Sequence, residues 1–266
     1  NQVVSETDAS GMLFSLIGNG FYLWDGITPA NWDYDIDLIY QGTTDNVSTY
    51  KLNNQLLFAN GEFKIRRDHQ WTESYGYEDV TILGDTASFV SQYPNIKSLS
   101  QRVYDISFSA DWSDGTYTLT MEPVFGGGIG TSYEPYLISS AEELNNLRRF
   151  LGSENSEVYF LQTANIDLGT PPWNQGEGWE PIGNISAQFY ANFNGNGFTI
   201  SGLTINRPDA NYVGLFGYAR GSDLFNIGLL DVNIIANQRV GALAGHIRDN
   251  GYVFNCNSSG TIRAQI

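Results

Sequence analysis

The sequence predicts an all-β protein, a sandwich followed by a solenoid, on three observations. The second half repeats itself: Val213-Gly214-Leu215-Phe216-Gly217 returns as Gly241-Ala242-Leu243-Ala244-Gly245, and Leu224-Phe225-Asn226-Ile227 returns as Val253-Phe254-Asn255-Cys256. The first half is a series of short alternating runs broken by turn dipeptides. The composition, with 29 Gly among 266 residues and 14% aromatics, favours strands and turns over helices.

Taken in order, residues 1–124 form the predicted sandwich. A polar start, read as a mature or trimmed N-terminus, leads into the opening strand Met12-Leu13-Phe14-Ser15-Leu16-Ile17, which stops at Gly18-Asn19-Gly20. Asp33 to Tyr40 alternates strictly and places Tyr34, Ile36 and Leu38 on one face. Leu56-Leu57-Phe58, Gly61 to Arg66, Tyr104 to Ala110 and Gly115 to Met121 are further short strands, and Asp114-Gly115 marks a hairpin. The 84–100 segment reads as a long loop. Glu62-Phe63-Lys64-Ile65-Arg66, followed by Asp68, Trp71 and Tyr75-Gly76, is similar to the Ig-like repeats of SusE and SusF outer-membrane proteins. Tyr117-Thr118-Leu119-Thr120-Met121 fits the same pattern. The resemblance covers most of the first half and implies an Ig-like β-sandwich of starch-binding type. Gly18 to Trp24 departs from it, as a loose version of the usual Gly-to-Trp opening.

Residues 125–130 are glycine-dense and uncharged, and read as a linker. Residues 131–266 hold the solenoid. Ser140 with Glu143 makes a capping box, Leu144, Leu147 and Leu151 form one apolar stripe, and Gly152 ends it. One helix is therefore predicted, covering the open end of the first coil. Leu215 and Leu243 are 28 residues apart and Asn226 and Asn255 are 29, so the second copy carries one extra residue, placed near Asn250-Gly251. Leu215, Ile227, Val232 and Ile234 alternate with small or polar residues and are assigned to the interior. One coil cannot bury its own apolar face, so each needs a neighbour. Asn226 and Asn255, one coil apart, are placed to stack their amides as a ladder, with a structural corner as the first reading. The two repeat copies are preceded by Gly130 to Leu144, Asn165-Ile166-Asp167-Leu168, Trp179-Glu180-Pro181-Ile182-Gly183 and Phe193 to Ile205. This ordered series resembles the GLUG repeats of secreted and surface proteins in Bacteroidetes-type bacteria, over roughly the second half. It implies a right-handed parallel β-helix and adhesin-like surface work, and carries over no catalytic residues.

A net charge of −16 with only 13 Lys and Arg argues against DNA, RNA or an anionic membrane as partner, because phosphate contacts need cations. The single cysteine, Cys256, excludes an intrachain disulfide and stands where the preceding copy has Ile227, so it reads as a small buried hydrophobe. No run approaches the length of a membrane span, and no signal peptide is read at Asn1.

Sugar binding needs an exposed aromatic face beside polar groups that reach hydroxyls. Trp24, Trp32, Trp71, Tyr75 and Arg66 in the first half and Trp173 in the second are the glycan-contact candidates. Trp71 has two readings, a core residue beneath the sheet and a stacking platform, while Trp24 and Trp32 in the Pro29 loop are the ones expected to be exposed. Asp33, Asp35 and Asp37 share a strand face; a solvated face is the first reading and a Ca²⁺ site, completed by another loop, the second. No cofactor is expected. The reading is a non-catalytic binding protein, outer-membrane anchored at the cell surface or secreted, whose partner is a polysaccharide or a host or bacterial surface glycoprotein. Further coils or a partner would meet its C-terminal end. The alternatives are a scaffold without sugar binding and a β-helical polysaccharide lyase or hydrolase. The last needs clustered carboxylates, whereas Asp209, Asp223, Asp231 and Asp249 are scattered among turns.

Overall fold

The structure, a computed structural model, describes residues 11–21 and 30–264. The chain divides into two compact units, Asn1–Val124 and Phe125–Ile266.

The first unit is a two-sheet β-sandwich. One sheet runs Asp35–Asp37, Phe14–Gly18, Glu62–Arg67, Asn95–Ser98, Phe89–Gln92, with Ser74–Tyr75 also paired to Glu62–Arg67. The other runs Ile39–Thr44, Val47–Leu57, Arg102–Asp111, Thr116–Pro123, Thr81–Gly84, and its last pair is parallel. Alternating residues of the two sheets meet in one core, where the Phe14 ring lies 4.8 Å from Tyr50 and 4.7 Å from Phe108.

Three expectations for this unit need correction. Asp33 to Tyr40 is not one strand: the chain leaves the first sheet at Asp37 and joins the second at Ile39. Leu38 is fully buried at the crossing and donates its N–H to the Phe14 carbonyl at 2.9 Å. Tyr34 precedes the paired residues and is 59% exposed. The 84–100 segment is not a long loop, because Phe89–Gln92 and Asn95–Ser98 pair antiparallel within it. Asp45 and Asn46, both at positive φ, close a two-residue hairpin between Thr44 and Val47.

The second unit is a parallel β-solenoid of about four turns. One face stacks Tyr136–Ile138, Tyr159–Gln162, Asn192–Asn194, Asp223–Phe225 and Tyr252–Phe254. A second stacks Ile166–Asp167, Thr199–Ser201 and Gly228–Ala236, with Thr204–Arg207 and Asn257–Ala264 paired to the last. A third pairs Phe216–Arg220 with Ala244–Arg248. The repeat copies are adjoining rungs: Phe216 pairs with Ala244, and its N–H reaches the Leu243 carbonyl at 2.9 Å. The register is 28 residues there and 29 where Leu224 pairs with Val253, so the extra residue lies between, around Asp249-Asn250-Gly251. It returns to 28 by the pairing of Val232 with Gly260, where Asp231, at φ 55°, takes up a bulge. Leu215, Ile227, Val232 and Ile234 are all buried.

The predicted helix spans Ala141–Asn146 and tightens into a 3₁₀ turn over Leu147–Phe150. The Ser140 hydroxyl accepts the Glu143 N–H at 3.2 Å, while the Glu143 carboxylate takes the Ser139 N–H at 2.6 Å. Leu144 and Leu147 are fully buried, as a capping helix requires.

Residues 125–130 are part of the first rung and not a free linker. The Phe125 ring packs 4.7 Å from Tyr136, and Gly126 and Gly127 exchange backbone hydrogen bonds with Leu137 at 3.1 and 3.0 Å. Gly128 is required by close approach: a Cβ there would lie 1.9 Å from the Pro135 carbonyl.

Candidate functional site

The Phe14–Gly18 strand is flanked by Asp35–Asp37 on one side and Glu62–Arg67 on the other, which sets Ser15 between Asp37 and Arg66 in register. Arg66 then reaches Asp35 with a two-pronged ion pair, Nε to Oδ1 at 2.6 Å and Nη2 to Oδ2, and the Ser15 hydroxyl donates to the same Oδ1 at 2.8 Å. Arg66 is only 6% exposed. Its guanidinium lies 4.9 Å from the Trp71 ring centroid and so covers one face of that ring.

Trp71 opens the short 3₁₀ turn Trp71–Glu73 and is 54% exposed. Half-buried Trp32, in a turn after Asn31, stands 6.2 Å away with its ring tilted by 39°. Next to this pair, Asp68 and His69 both adopt positive φ. The Asp68 carboxylate accepts the Leu13 N–H at 2.9 Å, and His69 Nε2 meets Asp37 Oδ1 at 2.7 Å. The result is an aromatic patch, fixed from beneath by a buried ion pair and bordered by an exposed His–Asp pair. Such a surface can stack a sugar ring and hydrogen-bond its hydroxyls.

The structure brings Trp32, Trp71 and Arg66 together, but Trp71 and not Trp32 is the more exposed ring. Trp71 is exposed and not a core residue. Arg66 is buried and positions Trp71 instead of contacting solvent. Tyr75 is a core residue, 9% exposed, with its hydroxyl 3.3 Å from that of Tyr117; burial, then that contact, push its phenol well above the ordinary range. Trp24 lies outside the described residues. Trp173, in the other unit, is half-buried against Trp179 at 5.6 Å. Trp179 is buried, with Nε1 donating to the Leu215 carbonyl at 3.2 Å.

Asp33, Asp35 and Asp37 do not form a Ca²⁺ site. Asp35 is bound to Arg66 and Asp37 to His69, so two of the three carboxylates already have side-chain partners where a metal would sit. Among the described residues no cluster of three or more His, Cys, Asp or Glu has metal-binding geometry. The Asp37–His69 pair is the feature that sequence reasoning missed. Its only signal was the proximity of His69 to Trp71 in the chain. Cys256 follows the repeat register, opposite Ile227, but is half-buried and not the buried hydrophobe expected; the burial it has pushes its thiol up.

No protein-family model matches the chain. A Gly-rich membrane protein of Evansella cellulosilytica is 40% identical over 129 residues, 48% of this chain and 15% of that protein. Halomucin of Haloquadratum walsbyi is 30% identical over 183 residues, 68% of this chain and 2% of that protein. The chain thus spans a small part of both relatives. A solved structure from Bacteroides ovatus, described as an immunoglobulin A1 protease, aligns with a TM-score of 0.38 at 22% identity, over 53% of this chain and 42% of its own. A likeness that loose carries no argument about activity.

Proposed function

We propose that this chain is a recognition segment of a surface protein and binds glycans through the sandwich, with Trp71 as stacking platform and Trp32 beside it. The observation that carries this reading is a large aromatic ring more than half exposed and yet braced by the buried Arg66–Asp35 pair. An exposed tryptophan held rigid loses little freedom on binding, which favours affinity. The SusE-like motif across Glu62 to Gly76 supports a sugar as ligand, and the GLUG-like repeats support display at a cell surface, outer-membrane anchored or secreted. The names of the two relatives, a Gly-rich membrane protein and halomucin, fit such a location.

Binding is preferred over lyase or hydrolase chemistry because the solenoid carboxylates are engaged or dispersed. Asp249 is held by Arg220, and Asp231 sits in a backbone bulge.

A glycan array with the intact chain tests this reading. Retention of at least one polysaccharide is expected, weakened at least tenfold by Trp71→Ala and less by Trp32→Ala. Retention unchanged in both variants would remove the sandwich as the binding surface.

A further inference from the structure

We infer that the solenoid carries a separate site for an anionic sugar, in the groove where Arg220, Arg239 and Arg248 converge on Tyr212, Tyr218 and His246. The inference does not rest on the Trp71 platform, which belongs to the other unit. The groove is open to solvent and offers about 590 Å³, room for one or two sugar rings. Its aromatic wall is continuous: Tyr218 lies 5.4 Å from Tyr212 and 4.7 Å from His246, and His246 lies 5.7 Å from Tyr212.

The coil register creates the charge. Tyr218 pairs with His246 and Arg220 with Arg248, so stacking the repeats puts two arginines side by side on adjoining rungs. One carboxylate serves both, Asp249, at 2.5 Å from Arg220 and 3.3 Å from Arg248. Arg239 has no carboxylate within ion-pair distance among the described residues and lies 4.8 Å from the Tyr212 ring centroid. Three guanidiniums against one carboxylate leave local positive charge in a chain of net charge −16 that has only 13 Lys and Arg. Tyr212 and Arg239 also both hold positive φ, 61° and 54°, a conformation that side-chain-bearing residues rarely adopt.

Guanidinium groups grip carboxylate or sulfate in a planar fork, and tyrosine rings take the C–H face of a pyranose. A neutral sugar would leave the excess positive charge of this cluster unanswered. A long polyanion such as nucleic acid would meet the negative field of the rest of the chain. The fit is therefore to a short uronate- or sulfate-bearing saccharide.

Titration calorimetry on the intact chain tests this with four probes: oligogalacturonate, a sulfated chondroitin disaccharide, a neutral galacto-oligosaccharide and inorganic sulfate. The expected result is at least tenfold tighter binding of one acidic saccharide than of the neutral one at low salt, weakening as NaCl rises. The stronger acidic probe identifies the anion. Arg239→Ala and Arg248→Ala should each weaken it at least fivefold, Arg239→Lys less, and Trp71→Ala not at all. Equal binding of acidic and neutral saccharides would overturn the inference. So would inorganic sulfate binding as tightly as the sulfated sugar. Unchanged affinity in an Arg239→Ala, Arg248→Ala double variant with wild-type circular dichroism would do the same.

Discussion

Asn226 meets two demands at once. Its amide donates to Asn194 at 3.1 Å and accepts from Asn255 at 2.8 Å, making a ladder of three rungs. Its backbone also turns a corner at φ 58°, as Asn255 does at φ 51°. Asn tolerates that conformation better than other side chains, and Gly tolerates it best. The two roles can be separated by substitution. Asn226→Gly removes the amide contacts and keeps the corner, at a cost of roughly 1–3 kcal/mol. Asn226→Ala loses both and should cost about 1 kcal/mol more. Urea denaturation reads the order, and an alanine variant as stable as the glycine one would contradict the corner role. In the sandwich, Arg66→Ala strands the buried Asp35 carboxylate and should cost about 3–5 kcal/mol. The Arg66→Ala, Asp35→Ala double variant should recover part of that loss; no recovery would mean that the pair does not act as a unit. The exposure of Trp71 was not legible in sequence, because the partner that buries Arg66 lies 31 residues away.

At the scale of elements, legibility followed physical constraint. Successive coils must stack at one spacing, so the repeat, its extra residue near Asn250 and the inward set were readable before any coordinates. The strand that changes sheets at Leu38 was not readable, because both sheets turn the same alternate residues toward one core. The glycines after Phe125 read as a spacer, since composition alone does not distinguish flexibility from close packing. That first rung holds Phe125, Tyr136, Phe150 and Phe160 in one aromatic cluster. Burial raises the Tyr136 phenol from its ordinary 10.0 to about 12. The folded state thus keeps the proton more tightly than the unfolded chain. Its contribution is fully present below pH 10 and is lost as pH climbs toward 12, up to about 2–3 kcal/mol. Denaturation curves at pH 9 and pH 12 should show a smaller alkaline loss in Tyr136→Phe than in the wild type. Equal losses would contradict the assignment.

For the whole molecule, the two units differ in architecture. The sandwich turns a braced tryptophan to solvent, and the solenoid builds a regular stack whose rungs align like residues. The alternating runs and the 28-residue repeat pointed to these architectures because they lie on strands and corners, where the backbone dictates residue type. Ligand contacts are set by surface pairings between distant strands, and these leave little trace in a single sequence. The central claim is that the exposed ring of Trp71 binds sugar, and affinity electrophoresis of the intact chain through gels containing polysaccharide tests it most directly. The account predicts retardation in at least one gel, with wild type most retarded, Trp71→Phe less and Trp71→Ala least, because stacking area falls in that order. Equal mobility of the three proteins in every gel that retards the wild type, or no retardation in any gel, would contradict it.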